Sequence, residues 1–357
     1  MNHKVGFAEI TGQQRVIRLL RQALTQHHLP HAFLFTGMEG VGKRSTALVL
    51  AKAVNCDNGD GADSCGHCLS CRKAASGNHP DIFTIKRDGP FIKIEQIRAL
   101  QRRLRFRPLE ARFRVIIVED AQNMKAEAAN ALLKVLEEPP AGNLIILTAT
   151  DTTALLPTIV SRCLHLPFQP LATAEIADYL RRERGVTPEQ ADVIAGLAGG
   201  SLSRAATLLD EEQLARRRWL LEIVAKVHKS QVTDLLAAAQ LWQGENEDLK
   251  KDLEWLKTWT RDLLVQHMKA VDRNGLINGD FAEEVTEVAQ EFRPDHLLEM
   301  FELICTVQGA ISYNINKRLS LEALLLFLHT RAVKGVADSG ALQPIARDRY
   351  NLRKLYG

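Results

Sequence analysis

The sequence predicts an α/β domain built on a parallel sheet and a phosphate-type loop, carrying a cysteine-rich insert and followed by all-helical parts. Three observations lead there. A glycine-rich loop, Gly37-Met38-Glu39-Gly40-Val41-Gly42-Lys43-Arg44-Ser45, follows a short apolar run, as strand-loop-helix geometry requires. Apolar runs then alternate with helical periodicity as far as Pro170, the pattern of βα units. Beyond it the composition shifts: ten of the twelve prolines lie at or before position 188 and all four tryptophans lie after 210, so a separate helical domain is the economical reading.

The 357 residues leave room for two or three domains. A content of 46% hydrophobic and 25% charged residues is that of an ordinary globular chain, and a net charge of +3 argues against one coated in basic residues. No apolar run approaches the roughly 18 residues of a membrane span. The segment Met1-Asn2-His3-Lys4-Val5-Gly6 lacks the apolar core of a signal peptide, so a cytoplasmic location is expected.

In chain order, residues 12–25 put Val16, Leu19, Leu20, Ala23 and Leu24 on one helical face, opposite a polar face rich in arginine. Ala32-Phe33-Leu34-Phe35-Thr36 reads as a strand ending at the glycine-rich loop, with a helix over 45–55. Such a loop needs glycines so that backbone N–H groups curl around phosphates, a lysine for the β/γ-phosphates, then Ser or Thr to ligate Mg²⁺. Gly37, Gly42 and Lys43 are in register, but Arg44 stands where the hydroxyl belongs. Ser45 and Thr46 are poor substitutes, because one step along a helix turns a side chain by about 100°.

Cys56, Cys65, Cys68 and Cys71 follow in the pattern Cys-x8-Cys-x2-Cys-x2-Cys. Thiolates spaced by two residues bend around one ion, and four satisfy tetrahedral Zn²⁺ without leaving a position for water. The expectation is a structural zinc site stapling an excursion too poor in apolar residues to pack by itself. Four free or buried thiols are the plainer alternative.

Residues 81–85 read as the next strand and 94–106 as a helix carrying Arg98, Arg102, Arg103 and Arg105. With Arg107, Arg112 and Arg114 this is the densest basic stretch, and two readings stay open: a nucleic-acid-facing patch or a solvated helix face. Val115-Ile116-Ile117-Val118 is the continuous β-branched run of a strand buried on both faces, and it ends in Glu119-Asp120. An acidic pair so placed can serve Mg²⁺ and an attacking water. A helix over 126–136 stops at Glu137-Glu138-Pro139-Pro140, and a strand over 144–150 exits through Thr148, Thr150 and Asp151. A short helix over 155–160 and Ser161-Arg162-Cys163 lead to a last strand, Leu164-His165-Leu166.

Pro167 and Pro170 bracket a linker. Three short helices are expected over 173–184, 188–197 and 202–209, then six more over about 211–228, 231–243, 246–271, 281–290, 295–312 and 318–333. Residues 319–328 are apolar almost all round and need burial within the domain or against another subunit. The tail, 334–357, is expected to be loosely ordered.

The sequence resembles the AAA+ clamp-loader subunits of bacterial DNA polymerase III. The resemblance rests on His31 to Gly37, the degenerate loop and the four-cysteine insert. It continues through Asn130-Ala131-Leu132-Leu133-Lys134-Val135-Leu136-Glu137-Glu138-Pro139-Pro140, Ser161-Arg162-Cys163 and Asn316-Lys317-Arg318-Leu319-Ser320-Leu321-Glu322-Ala323-Leu324. It implies an AAA+ ATPase-like domain (1–170) with a zinc module (56–71), a helical lid (171–210) and a helical collar (211–333) that joins five subunits in an open ring. It also implies that Arg162 is an arginine finger acting in trans on the nucleotide of a neighbouring subunit. Partners would be the motor ATPase subunits and delta, with the sliding clamp and primed DNA reached through the complex.

Compared with the family's motor subunits, three positions depart. Arg44 replaces the metal-binding hydroxyl, Glu119-Asp120 reverses the usual Asp-Glu order, and Arg204 in Gly200-Ser201-Leu202-Ser203-Arg204 falls one residue late for the sensor arginine. The nucleotide site drawn from Gly37, Gly42, Lys43, Arg44, Ser45, Glu119, Asp120, Thr150 and Arg204 is therefore expected to be degenerate. ATP and Mg²⁺ binding there are in doubt, and the subunit is read as a non-hydrolysing stator. An active ATPase using Lys43 and Asp120 is the first alternative, and a zinc-dependent nucleic-acid-binding module the second.

Overall fold

The computed structural model describes residues 6–59, 62–242, 246–268, 275–311 and 316–332; the chain divides after Ala206 into two compact units. In the first, five parallel strands, β1 (Ala32–Thr36), β2 (Ile82–Ile85), β3 (Arg114–Val118), β4 (Asn143–Ala149) and β5 (Leu164–Pro167), stand in the order β2-β3-β4-β1-β5. This is the α/β parallel sheet expected. β1, β3 and β4 are buried along their whole length, which is why they read as unbroken apolar runs.

Alternate residues of each strand serve opposite faces. Phe33, Phe35, Val115, Ile117, Leu144 and Ile146 pack with Val16, Leu20 and Leu50 from α1 (Gln14–Thr25) and α2 (Lys43–Val54). Leu34, Ile116, Val118, Ile145 and Leu147 pack with residues of α4 (Ile94–Leu104) and α5 (Ala126–Glu137) on the other side. Burial of each such side chain contributes about 1.5–3 kcal/mol, so the strand ends that carry the site rest on a rigid base. The short α3 (Leu69–Ala75) closes the cysteine insert, α6 (Pro157–Val160) precedes β5, and α7 (Thr173–Arg184), α8 (Pro188–Ala198) and α9 (Leu202–Leu208) follow it.

Two details differ from expectation. In α1 the buried stripe is Val16, Ile17, Leu20 and Leu24, while Leu19 is 40% exposed, because the helix is rotated to aim Ile17 at the sheet. Arg114 does not belong to a surface patch. Its side chain is buried and donates to the carbonyls of Arg103 (2.6 Å), Phe106 (2.7 Å) and Arg107 (2.8 Å), with Asp81 at 3.3 Å. Arg98, Arg102, Arg103, Arg105, Arg107 and Arg112 are exposed.

The second unit is all helical: α10 (Glu211–Lys226), α11 (Val232–Leu241), α12 (Asn246–His267), α13 (Ala282–Ala289), α14 (Pro294–Ile311) and α15 (Lys317–Arg331). Trp242, Trp255 and Trp259 are buried in its core. Buried Asp252 accepts hydrogen bonds from Trp242 Nε1 (2.9 Å) and from Arg216 Nε (2.9 Å) and Nη2 (2.7 Å). In α15, Leu321, Leu324, Leu325 and Leu328 are buried, whereas Leu319 lies on an open face. The tail expected to be loosely ordered, and the expected helix ends at 243, 269–271, 312 and 333, lie outside the described residues.

Candidate functional site

β1 delivers the chain to a tight loop at the C-terminal edge of the sheet, the position where open α/β sheets bind ligands. Gly37 takes φ 139° and passes against the Phe168 carbonyl, where an added Cβ would lie 2.5 Å from that oxygen, so only glycine fits. Gly42, at φ 100°, caps α2. Helix α2 therefore begins at Lys43, two residues earlier than its apolar residues announce.

Lys43, Arg44, Ser45, Glu119 and Asp120 line one cleft of about 420 Å³, together with Gly42, Thr148, Tyr179 and Ser203. Thus α2, the end of β3 and the helices after β5 converge as the sequence motifs require. Lys43 is only 8% exposed, and its Nζ donates to the loop's own carbonyls at Gly37 and, at 2.8 Å, Met38. Burial lowers its pKa, against the opposing pull of Asp120 and Glu39.

The Arg44 side chain, 48% exposed, lies against the end of β3: its Nε is 2.7 Å from Glu119 Oε1, while Lys86 approaches the other carboxylate oxygen at 3.9 Å. Burial raises the Glu119 carboxyl, with Arg44 and then Lys86 pulling it back. A cation from the chain thus stands beside the carboxylate at the strand end, where a hydroxyl and a metal would be needed. Thr46 does not replace the missing hydroxyl, since its Oγ1 donates to Gly42 O at 2.9 Å. Asp120 sits in a left-handed turn, φ 52°, with its N–H bonded to Thr148 Oγ1 at 3.1 Å.

Three expected members, Gly37, Thr150 and Arg204, stand off the cleft wall. Thr150 spends its carbonyl on Gly37 N–H (3.0 Å) and its hydroxyl on Asp151 (3.4 Å). Arg204 does not line the cleft; its Nη1 lies beside Gly199, 3.4 Å from where a Cβ there would be. The start of α9 instead meets the loop through Gly40, whose carbonyl accepts the Leu202 N–H at 3.0 Å. The Ser201 and Ser203 hydroxyls occupy the space a Cβ at Gly40 would take.

Cys56, Cys65, Cys68 and Cys71 come together with their sulfur atoms all within 4.8 Å of one another. Four thiols at that spacing fit one tetrahedral ion, and the group could hold a metal. Backbone N–H groups of Cys65, Cys68 and Cys71 already point at the sulfurs of Cys56, Cys65 and Cys68, at 3.2, 3.3 and 3.4 Å. These bonds favour thiolate, and the Cys65 thiol is lowered to about 6, chiefly by the Cys68 N–H, while burial raises Cys56 and Cys71. Asp63 ties the insert to the chain start by accepting from Phe7 N–H (3.0 Å) and Arg21 (3.0 Å).

Arg162 follows α6, its side chain partly exposed, and is not among the residues that line the cleft. Its Nη2 pairs with Glu137 at 2.9 Å, and its Nη1 donates to Thr158 O (3.0 Å) and Ser161 Oγ (3.4 Å). Sequence reasoning missed four participants: Tyr179, Ser203, Lys86 and Glu137. Only Glu137 carries a local signal, a carboxylate at the C-terminal end of a helix, where the dipole disfavours it.

A family model described as DNA polymerase III, delta subunit, matches residues 12–172, and one described as DNA polymerase III, delta subunit, C terminal, matches residues 211–330. DNA polymerase III subunit delta' of Bacillus subtilis is 31% identical over 319 residues, covering 88% of this chain and 96% of that protein. DNA polymerase III subunit tau of Salmonella typhimurium is 28% identical over 346 residues; 90% of this chain is covered, and the chain spans 53% of tau. Among solved structures, a DNA polymerase III gamma subunit-related protein of Thermotoga maritima gives a TM-score of 0.45 at 18% identity, over 89% of this chain and 98% of that one.

Proposed function

The chain belongs to the delta' family of bacterial DNA polymerase III clamp-loader subunits, and from that premise we propose that it is the loader's non-hydrolysing stator. In this reading residues 1–170 form the AAA+ ATPase-like domain, 171–210 the lid and 211–333 the collar. The collar joins motor ATPase subunits and delta in a hetero-pentameric ring that loads the sliding clamp onto primed DNA. The cysteine group holds one structural zinc, and the protein acts in the cytoplasm. None of the helices among the described residues is long and apolar enough to cross a membrane.

One observation carries the reading: the Arg44–Glu119 ion pair fills the metal side of the chain's own phosphate loop. The Lys43 ammonium, turned onto the Gly37 and Met38 carbonyls, adds to it. Phosphoryl transfer relies on metal and lysine to neutralise phosphate charge, and a misplacement of about 1 Å already costs about 10²-fold in rate. The chain's catalytic contribution is then Arg162, supplied to the neighbouring subunit's nucleotide, where a guanidinium in trans is worth roughly 10³–10⁵ in rate.

Reconstituted loaders test this. The isolated chain should show no ATP turnover with clamp and primed DNA present, and Arg162→Ala should assemble normally yet lower the ATPase of the complex. Turnover by the isolated chain that Lys43→Ala abolishes would instead favour the active-ATPase alternative.

A further inference from the structure

We propose that Glu137 is the positioning residue for Arg162, holding the guanidinium in a fixed pose at the surface while leaving donors for a neighbour's phosphate. This rests on the arginine-finger reading above. Glu137 is the last residue of α5, and Glu138 caps that helix. A carboxylate there faces the negative end of the helix dipole, which weakens the helix rather than helping it. Its place is explained by what it touches.

Arg162 receives acceptors from two helix ends at once. Glu137, from the end of α5, takes Nη2 at 2.9 Å, and the Thr158 carbonyl, within α6, takes Nη1 at 3.0 Å. The Ser161 hydroxyl shares Nη1 at 3.4 Å. A free arginine on a surface samples many rotamers; one gripped on both Nη atoms does not. A guanidinium has five N–H donors. Two are hydrogen-bonded among the described residues, both on Nη1, while Nη2 is held by the ion pair with Glu137, so donors on Nε and Nη2 remain for an incoming anion.

Exposure fits this use. The Arg162 side chain is 35% exposed and that of Glu137 is 48%, so the pair is open to a docking surface and not sealed in a core. A surface ion pair of this kind adds little to stability. Its effect is orientation. The arm stays in one pose before the neighbour arrives, and ordering it on docking costs little.

The test uses the reconstituted loader, with kcat and KM for ATP measured separately. Glu137→Ala should lower kcat about tenfold with KM unchanged, as expected for a catalytic group shifted by a fraction of an ångström. Glu137→Gln, which keeps the reach of the side chain but not its charge, should fall between the parent and Glu137→Ala. On an Arg162→Ala background, Glu137→Ala should cause no further loss.

A wild-type rate for Glu137→Ala in a loader where Arg162→Ala is slow overturns the positioning role and leaves the finger reading standing. A loss from Glu137→Ala that persists in full beside Arg162→Ala also overturns it. A wild-type rate for Arg162→Ala removes the finger reading, and the positioning role with it. Should Glu137→Ala fail to assemble, Glu137→Asp carries the same test, since its shorter arm withdraws the carboxylate while keeping the charge.

Discussion

Arg44 Nε lies 2.7 Å from Glu119 Oε1, so the residue that spoils the phosphate-loop motif is paired with the residue that spoils the acidic motif. The two departures are one feature. Restoring a hydroxyl at position 44 alone would take from Glu119 its nearer cation and leave only Lys86 at 3.9 Å.

Arg44→Thr alone should therefore not create an ATPase. It should leave Glu119 half-buried with only Lys86 nearby, and its pKa should rise further. A carboxyl whose folded pKa exceeds its unfolded value stabilises most at low pH and loses that stability as pH rises between the two values. Melting temperatures of Arg44→Thr and the parent should accordingly diverge as pH rises above the ordinary carboxylate range, and Glu119→Gln in the same chain should remove the divergence. Mg²⁺-dependent ATP binding, read by calorimetry, is expected only when Arg44→Thr is combined with Glu119→Asp and Asp120→Glu.

Asp81→Ala should be among the most destabilising single changes in the first unit. The Asp81 carboxylate accepts N–H bonds from Leu109, Glu110 and Ala111, each at 2.9–3.1 Å, and faces buried Arg114. Stranding Arg114 should cost about 3–5 kcal/mol by urea denaturation.

Asp81 also predicts an acid limb. Burial alone would raise its carboxyl, but the Glu110, Leu109 and Ala111 N–H groups and Arg114 outweigh it and hold the pKa below the usual value. Stability from such a group is present above the unfolded pKa and lost as pH falls through the folded one. Asp81→Asn should therefore flatten the stability loss below about pH 4.

For the cysteine group, metal analysis of the purified chain should return about one zinc ion per molecule. Cys71→Ser should lose the ion and lower the melting temperature, and a strong chelator should give the parent chain the same lowered melt. An unchanged melt after complete metal removal would contradict a structural ion.

In the second unit, Asp252→Ala leaves the Trp242 indole N–H and the Arg216 guanidinium without their shared acceptor. A loss of about 3–5 kcal/mol is expected, and tryptophan fluorescence should report it.

How much was legible in advance follows the range of each interaction. Val115 to Val118 announced a strand because burial on both faces leaves a local signature, and the cysteines announced their convergence by spacing. Arg44 was legible as a departure and the motifs put it in one site with Glu119, yet the ion pair between them was not, since motif spacing does not say which side chains of α2 and the end of β3 touch. Arg114 was misread as surface charge for the same reason: only the fold brings three carbonyls and Asp81 around it. The stripe of α1 shifted because periodicity fixes a helical face but not its rotation against the sheet.

Gly40 has a mechanical consequence. With its carbonyl on the Leu202 N–H and the Ser201 and Ser203 hydroxyls filling its missing side chain, the glycine-rich loop and the start of α9 are clamped as one solid piece. A nucleotide that enters such a loop must work against that clamp, whereas a push arriving at α9 reaches the sheet edge without slack. Gly40→Ala would drive a wedge into the clamp and turn a strut into a joint.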